Sequence, residues 1–236
     1  MIDSALWPSL PVDPPLTLVS PGDDGVTVIT LNRPGKKNAL SIALREEVVA
    51  RLRALAVDQA VKAVIVTGSG GSFSAGFDLR EFAVTDPAHV ARLWKSSDEF
   101  HHAVYRFPVP VIAAVDGIAY GGGFDLAVLC DLRIATDRAT FGHPEAAIGP
   151  VVYGPLHDLV GGAVARELVL TGREIDAREA LRLHLVSELT VPGELMERAR
   201  ALARQVSRAP REVLTRNKAK FIARSAISAS TPTLDL

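Results

Sequence analysis

The sequence predicts an α/β fold, because strand-like and helix-like segments alternate along most of the chain. Short apolar runs rich in valine and isoleucine, typical of buried strands, are followed by longer segments with apolar residues at helical spacing. A chain of 236 residues with 48% hydrophobic content is large enough to bury one substantial core. The pattern itself leaves open whether the sheet is doubly wound or less regular.

The predicted strands are short runs bounded by polar or glycine-containing segments. In chain order they are Leu16–Ser20, Val26–Leu31, Ala63–Thr67, Val109–Val115, Leu132–Ala135 and Val186–Leu189. The first predicted helix is Ser41–Ala56, with Ser41 as its N-cap and apolar residues in steps of three and four. The helices predicted after it are Ala88–Tyr105, Gly122–Cys130, Gly162–Leu170, Asp176–Leu183, Gly193–Arg208 and Pro210–Arg224.

Charge and composition exclude several classes of function. The balance of 26 basic against 27 acidic residues gives no overall field for nucleic acid or an anionic membrane. No apolar run approaches the roughly 20 residues of a membrane helix. Residues 1–15 lack a basic n-region followed by an apolar core, which predicts a flexible tail and not a signal peptide. The single cysteine, Cys130, excludes an internal disulfide and predicts a reducing, cytoplasmic location.

Three consecutive glycines, Gly121 to Gly123, are the most informative feature. They follow a strand-like run and open a helix-like one, so their backbone N–H groups can approach a ligand without a Cβ in the way. Asp125 follows in the first helical turn and Glu145 lies 20 residues later. Taken singly, each feature has an ordinary explanation. The glycines can form a turn, Asp125 can complement the helix dipole, and Glu145 can belong to a loop. Together, amides for an oxyanion and two carboxylates for proton transfer suit chemistry beside a carbonyl.

A second glycine-rich segment, Thr67–Leu79, also follows a strand pattern, and the sequence here resembles the enoyl-CoA hydratase/isomerase (crotonase) family. The resemblance runs in order from about Leu16 to Leu189. The matching segments are Leu31–Pro34, Asn38–Leu40, Phe73–Leu79, Pro110–Gly117, Gly121–Asp125, Cys130–Ala135, Phe141–Glu145, Leu170–Gly172 and Ala177–Val186. It implies a right-handed spiral of ββα turns over 16–191, with C-terminal helices over 192–236 that make trimer contacts.

The resemblance also implies the chemistry and the residues of the site. An acyl-CoA thioester of fatty acid metabolism would bind with its carbonyl oxygen between the backbone N–H groups of Phe77 and Gly122. Glu145 would exchange a proton with the α-carbon, and Asp125 would act with it on the attacking water. Candidates for CoA and substrate binding are Ala75, Gly76, Asp78, Leu79, Lys37 and Gly121, with Arg33, Lys36 and Lys218 as further phosphate partners.

No cofactor besides the substrate's CoA is expected, and no metal, nucleic acid or membrane. The six histidines have no cysteine partners, and His101 and His102, as helix neighbours, should point apart. A homotrimer or a dimer of trimers is the assembly that the resemblance implies.

Four features depart from the family pattern. Asp125 stands where the family usually has glutamate, which retracts the carboxylate by roughly 1.5 Å. The link 150–159 is shorter than usual, and within it Tyr153 and His157 are unusual polar groups. The region 192–236 is also shorter than usual. Phe77 replaces a small residue, so its ring either packs under the loop or narrows the acyl or pantetheine channel.

Three functions therefore remain open. The first is a lyase that adds water to a 2-enoyl-CoA, favoured because both acidic positions are filled. The second is an isomerase or another enolate-forming acyl-CoA enzyme in which Glu145 alone moves the proton. The third is a non-catalytic acyl-CoA-binding protein, consistent with the short link and the short C-terminal region.

Overall fold

The computed structural model describes residues 14–22, 24–147, 149–225 and 227–236. The tail predicted for residues 1–15 therefore lies almost wholly outside the described residues. The described strands are β1 (Thr17–Pro21), β2 (Val26–Leu31), β3 (Ala63–Gly68), β4 (Val111–Val115), β5 (Ile118–Tyr120), β6 (Leu132–Thr136), β7 (Thr140–Gly142), β8 (Ile175–Asp176) and β9 (Leu189–Thr190). The described helices are α1 (Ile42–Val57), α2 (Pro87–Tyr105), α3 (Gly122–Leu129), α4 (Gly154–Val160), α5 (Gly162–Thr171), α6 (Ala177–Arg182), α7 (Leu195–Val206) and α8 (Arg211–Ser225).

Two sheets organise the chain. The larger has the order β1-β2-β3-β4-β6-β9, with an antiparallel β1–β2 pair and parallel pairing elsewhere. The smaller has the order β5-β7-β8. Strand β4 belongs to the larger sheet, β5 to the smaller, and α3 follows, while β6 and β7 repeat this alternation before α4. Successive ββα units thus place the ends of β5 and β7 beside each other, and both catalytic candidates follow these two strands.

The hydrophobic core has two parts, one on each face of the larger sheet. The first is lined by α1, α2 and α3 and includes Leu44, Phe100 and Phe124. The second lies under α7, whose Leu195, Ala199 and Ala203 pack on apolar side chains of β2, β3, β4 and β6. The apolar stripe of α7 therefore covers the chain's own sheet and is not available for the trimer contacts that the resemblance implies for the C-terminal helices. On helix α8, by contrast, the apolar side chains of Val213 and Phe221 are exposed.

Most elements lie where the sequence predicts them. Ser41 caps α1 through a hydrogen bond from Leu44 N to its Oγ at 3.3 Å, as predicted. The strand predicted at Val186–Leu189 instead covers Leu189–Thr190, because Leu185 and Val186 N–H groups donate to Ala180 O at the end of α6. Strands β5, β7 and β8 were not predicted, because two or three residues are too few to give a recognisable hydrophobic pattern in the sequence. Helix α4 lies within the link that was not predicted to be helical.

In the part of the chain that the structure describes, no helix is both long and apolar enough to cross a membrane.

Candidate active site

The glycine triplet joins β5 to α3 in a conformation that other residues resist. Gly121 has φ +52° and donates its N–H to Gly142 O at 2.9 Å, which ties the turn to the end of β7. A Cβ on Gly121 would lie 2.6 Å from Oε1 of Glu145. Gly121 is therefore a glycine both for its backbone conformation and because the Glu145 carboxylate lies against it. Its own amide is not free for a substrate.

A second tight turn brings Phe77 to the same place. Gly76 has φ +86°, and a Cβ there would lie 2.6 Å from Tyr120 O and 3.2 Å from Gly122 N. Leu40 N donates to Gly76 O at 2.7 Å, within a short parallel bridge between Leu40 and Phe77. The loop thus packs backbone against backbone on the triplet, which leaves the Phe77 and Gly122 amides as neighbours.

These two amides are available as donors. Gly122 is the first residue of α3, where a helix has no internal acceptor for its N–H groups. Among the residues that the structure describes, neither Phe77 N–H nor Gly122 N–H donates a hydrogen bond to a protein acceptor. Two unpaired donors beside the positive end of a helix favour negative charge on a bound oxygen.

The Phe77 ring is half-buried and packs on the triplet. Its Cε1 lies 2.7 Å from the position that a Cβ on Gly122 would take. The Arg45 guanidinium carbon lies 4.5 Å from the ring centroid, and the centroids of Phe82 and His101 lie 6.1 and 6.0 Å away. The ring therefore occupies the space between the triplet and α2, and its aromatic and cationic neighbours hold it there.

Glu145 lies in the 3-10 turn Pro144–Ala147 that follows β7. Its side chain is half-buried against Gly121. Burial raises the pKa of the Glu145 carboxyl, and the charge of Asp125 raises it further, against the opposing attraction of His143. A carboxyl with a raised pKa holds and releases a proton nearer neutral pH than an ordinary glutamate, which is the property a proton-transfer group needs.

Asp125 lies between two buried histidines. It is 6% exposed, and its Oδ1 lies 2.7 Å from His143 Nε2. Its Oδ2 lies 3.8 Å from Nε2 of His101, a residue of α2. Burial lowers the pKa of His143, but the Asp125 charge and hydrogen bond outweigh burial and raise it. The imidazole and the carboxylate thus form a hydrogen-bonded pair inside the protein.

Neither histidine was predicted from the sequence as a site residue. His143 stands two residues before Glu145, and that position at the end of β7 is a signal, because neighbouring strand ends converge. His101 shares the buried stripe of α2 with Leu93, Phe100 and Val104, and a polar residue on an apolar stripe is a second signal. Neither signal identifies Asp125 as the partner.

The binding candidates occupy different environments. Ala75 N donates to Lys37 O at 2.9 Å, which joins the two candidate loops through the backbone. Lys37 is exposed and Leu79 is 79% exposed, so both are accessible to a ligand. Asp78 pairs with Arg33 at 3.0 Å.

Lys218 is not placed for a phosphate contact. Its ammonium is buried, 2.7 Å from Oδ2 of Asp131 and within hydrogen-bond distance of Val109 O. The expectation of a phosphate contact at this residue is wrong, because its charge is paired inside the protein, where it anchors α8.

Tyr153, at the start of α4, and His157, on that helix, have ring centroids 5.6 Å apart and ring planes tilted by 51°, and the His157 side chain is 44% exposed. Among the described residues, neither side chain forms a hydrogen bond with Asp125 or Glu145. Within the described ranges, no group of three or more His, Cys, Asp or Glu side chains has an arrangement that could hold a metal ion.

Comparison with known proteins finds relatives over most of the chain. The family model described as enoyl-CoA hydratase/isomerase matches residues 22–235. A probable enoyl-CoA hydratase of Mycobacterium leprae is 41% identical over 202 residues, which cover 83% of this chain and 77% of that protein. A short-chain-enoyl-CoA hydratase of Clostridium acetobutylicum is 39% identical over 78% of this chain and 73% of its own length.

The fold is shared with solved structures as well. The crystal structure of an enoyl-CoA hydratase from Bacillus anthracis superimposes with a TM-score of 0.85 and 33% identity, covering 91% of this chain and 85% of that one. The spiral architecture implied by the sequence resemblance is thereby confirmed.

Proposed function

The chain belongs to the enoyl-CoA hydratase/isomerase family, and we propose that it adds water across the double bond of a 2-enoyl-CoA thioester. The observation that carries this proposal is the pair of unengaged N–H groups, on Phe77 and Gly122, beside a carboxyl with a raised pKa, Glu145. The pair suits a thioester oxygen, and the carboxyl suits proton transfer at the neighbouring carbon. No separate cofactor is required, because CoA is part of the substrate.

The oxyanion donors lower the main barrier. Attack of water on the β-carbon moves the π electrons toward the thioester, so negative charge builds on its oxygen as an enolate. A fixed N–H group that meets this charge contributes on the order of 3 kcal/mol. The backbone contacts of Gly76 with the triplet fix both donors before the substrate arrives, which avoids reorganisation during the reaction.

Glu145 then completes the addition. In its protonated form it gives a proton to the α-carbon of the enolate, and in its ionised form it removes that proton in the reverse reaction. The raised pKa of Glu145 brings the protonated form closer to neutral pH than in an ordinary glutamate. The water meanwhile loses a proton to the Asp125 carboxylate, and exchange with solvent returns both acids to their starting states.

A second candidate function is movement of the double bond without water. The observation that favours it is the 2.7 Å bond between Asp125 Oδ1 and His143, which occupies half of the carboxylate that hydration needs. In this alternative Glu145 alone carries the proton between two carbons. The third possibility from the sequence, a non-catalytic acyl-CoA-binding protein, leaves the raised pKa of Glu145 without a role.

The CoA moiety is proposed to lie along Ala75, Gly76, Asp78 and Leu79, with the exposed Lys37 near its phosphates. A cytoplasmic location is proposed because the one cysteine, Cys130, is a buried free thiol whose pKa burial raises to about 12, a core residue and not a redox group.

A panel of enoyl-CoA thioesters that varies chain length and double-bond position tests the proposal. Hydration predicts that oxygen from labelled water enters the β-carbon and that solvent deuterium enters the α-carbon. Deuterium without water oxygen would indicate the isomerase alternative. Tight binding of the thioesters without turnover of any of them would contradict catalysis and indicate the binding protein.

A further inference from the structure

His101 is a fully buried histidine for which neither the fold nor the reaction has so far supplied a role. It is 0% exposed, and its Nδ1 lies 2.8 Å from the carbonyl oxygen of Ser97, one turn earlier on α2. A carbonyl oxygen only accepts hydrogen bonds, so Nδ1 carries the hydrogen. In the neutral ring the other nitrogen, Nε2, is therefore an acceptor.

That acceptor faces Asp125. Nε2 of His101 lies 3.8 Å from Oδ2 of Asp125 and has no hydrogen-bond partner among the described residues. A distance of 3.8 Å is too long for a direct hydrogen bond. Burial lowers the pKa of His101 in spite of the nearby carboxylate, which agrees with a neutral ring. Two acceptors thus face each other across a short gap, an arrangement that is costly unless a donor satisfies both.

A single water molecule would satisfy this arrangement. It can donate one hydrogen to Asp125 Oδ2 and the other to His101 Nε2, because a molecule within hydrogen-bond distance of both atoms can span 3.8 Å. Asp125 cannot turn away, since His143 holds its Oδ1 at 2.7 Å. The lone pairs of such a water are left free for a carbon electrophile.

We propose that His101 is a further residue of the hydration site and that, with Asp125, it holds the attacking water by both hydrogens. This inference rests on the proposed function and deepens it. The water oxygen bonds to the β-carbon, one water hydrogen passes as a proton to Asp125, and the π electrons move to the thioester oxygen. The α-carbon then takes the Glu145 proton. His101 gains and loses nothing in this step; it aims the water.

The proposal also accounts for an aspartate at position 125. The shorter acid holds a water at one point only, and misplacement on the scale of an ångström costs about a hundredfold in rate. A second acceptor, on α2, fixes the water that the shorter carboxylate alone would leave free to rotate.

Substitutions at His101 separate this role from packing. His101→Asn keeps an amide that can reach Ser97 O in place of Nδ1 but leaves no acceptor toward Asp125. His101→Gln places an amide near the position of Nε2. His101→Phe keeps the ring that contacts Phe77 and Phe100 and removes both nitrogens. His102→Phe is the matched control, because the next residue of α2 bonds instead to Thr231 O.

Two rates are measured for each variant: hydration of a 2-enoyl-CoA, and exchange of the α-proton of a saturated acyl-CoA with solvent deuterium. Exchange needs Glu145 and the oxyanion donors but no attacking water. We expect His101→Asn and His101→Phe to lower kcat for hydration by about tenfold to a hundredfold, with KM and exchange nearly unchanged. His101→Gln should recover much of the loss, and Asp125→Asn should show the same selective loss.

Equal losses of hydration and exchange in the His101 variants would overturn the proposal in favour of a structural role, as would hydration at the wild-type rate. Should the phenylalanine variant fail to fold, the Asn and Gln pair decides the question. Wild-type protein that exchanges the α-proton but never hydrates would contradict hydration and the water site together and would indicate the isomerase alternative. Wild-type protein that does neither would contradict the proposed function itself.

Discussion

At the scale of single residues, the site depends on two carboxylates in different environments. Glu145 is half-buried against a glycine and its pKa is raised by burial and by the charge of Asp125. Asp125 is hydrogen-bonded to His143. Environments that make two acids unequal are what allow one to carry a proton while the other holds a water. The roles proposed for the two acids rest on these contacts and not on the residue types alone.

The raised pKa of Glu145 predicts the pH dependence of α-proton exchange. Exchange requires the ionised carboxylate, and a raised pKa means that protonation removes this base at a higher pH than for an ordinary glutamate, whose pKa is about 4.3. The value of kcat/KM for exchange should therefore fall, on acidification, at a higher pH than it would for a base with the ordinary glutamate pKa. A rate that stays constant down to about pH 4 would contradict the raised pKa.

Sequence reasoning located these residues in part. The triplet and Asp125 were predicted as site residues because they open a helix after a strand pattern, and the roles predicted for Asp125 and Glu145 came from the family resemblance. The partners of Asp125 were not identified, because His101 comes from the middle of α2. Which residue of one helix meets which residue of another depends on helix packing, and one sequence does not contain that information. Lys218 was misjudged for the same reason.

At the scale of elements, the close packing of two glycine turns brings together the two amides of the proposed oxyanion site. The turn at Gly76 and the turn at Gly121 have positive φ and lie backbone to backbone. Both conformations favour glycine, so the sequence showed the turns. It did not show that the ring of Phe77 lies on the face of Gly122, because the direction of a loop side chain is decided by neighbours such as Arg45.

Gly122→Ala tests this packing. A methyl group would lie 2.7 Å from Cε1 of Phe77, so the ring must move and the neighbouring amide with it. We expect a loss on the order of 3 kcal/mol in transition-state stabilisation, comparable to the loss of one donor, measured as kcat/KM for hydration. In a Phe77→Ala background the loss should be smaller, because the ring is gone.

Gly193→Ala is the control for that variant, since no atom lies within 4 Å of the position of its Cβ. If Gly122→Ala folds normally and turns over like wild type, the triplet is only a turn and the oxyanion assignment fails.

Helix α7 gives a test of the fold itself. Ala199 is buried against the larger sheet, whereas Ala201 on the same helix is exposed. Ala199→Asp buries an unpaired carboxylate and should lower the free energy of unfolding by more than about 3 kcal/mol. Ala201→Asp should change it by less than about 0.5 kcal/mol. Similar urea midpoints for the two variants would show that α7 does not cover the sheet in solution.

At the scale of the whole molecule, the exposed apolar surface of α8 is what points to assembly. Phe221 is 61% exposed and Val213 is also exposed, while the stripe of α7 is covered within the chain. The trimer or dimer of trimers implied by the family resemblance would cover α8. The sequence could not distinguish the two helices, because both carry apolar residues at helical spacing.

Light scattering at micromolar concentration should give a mass three or six times that of one chain. Phe221→Glu should lower this mass if α8 forms the contact, and Lys220→Glu, at an exposed neighbouring position, should leave it unchanged. A monomeric wild-type protein would contradict the expected assembly without affecting the assignment of the site.

The substitution Glu145→Gln tests the central claim most directly, since it removes the proton carrier and keeps the shape of the side chain. The account predicts that kcat for hydration of a 2-enoyl-CoA falls by roughly 10² to 10⁴, while the dissociation constant of a saturated acyl-CoA stays close to the wild-type value. Hydration by Glu145→Gln at the wild-type rate would contradict the account.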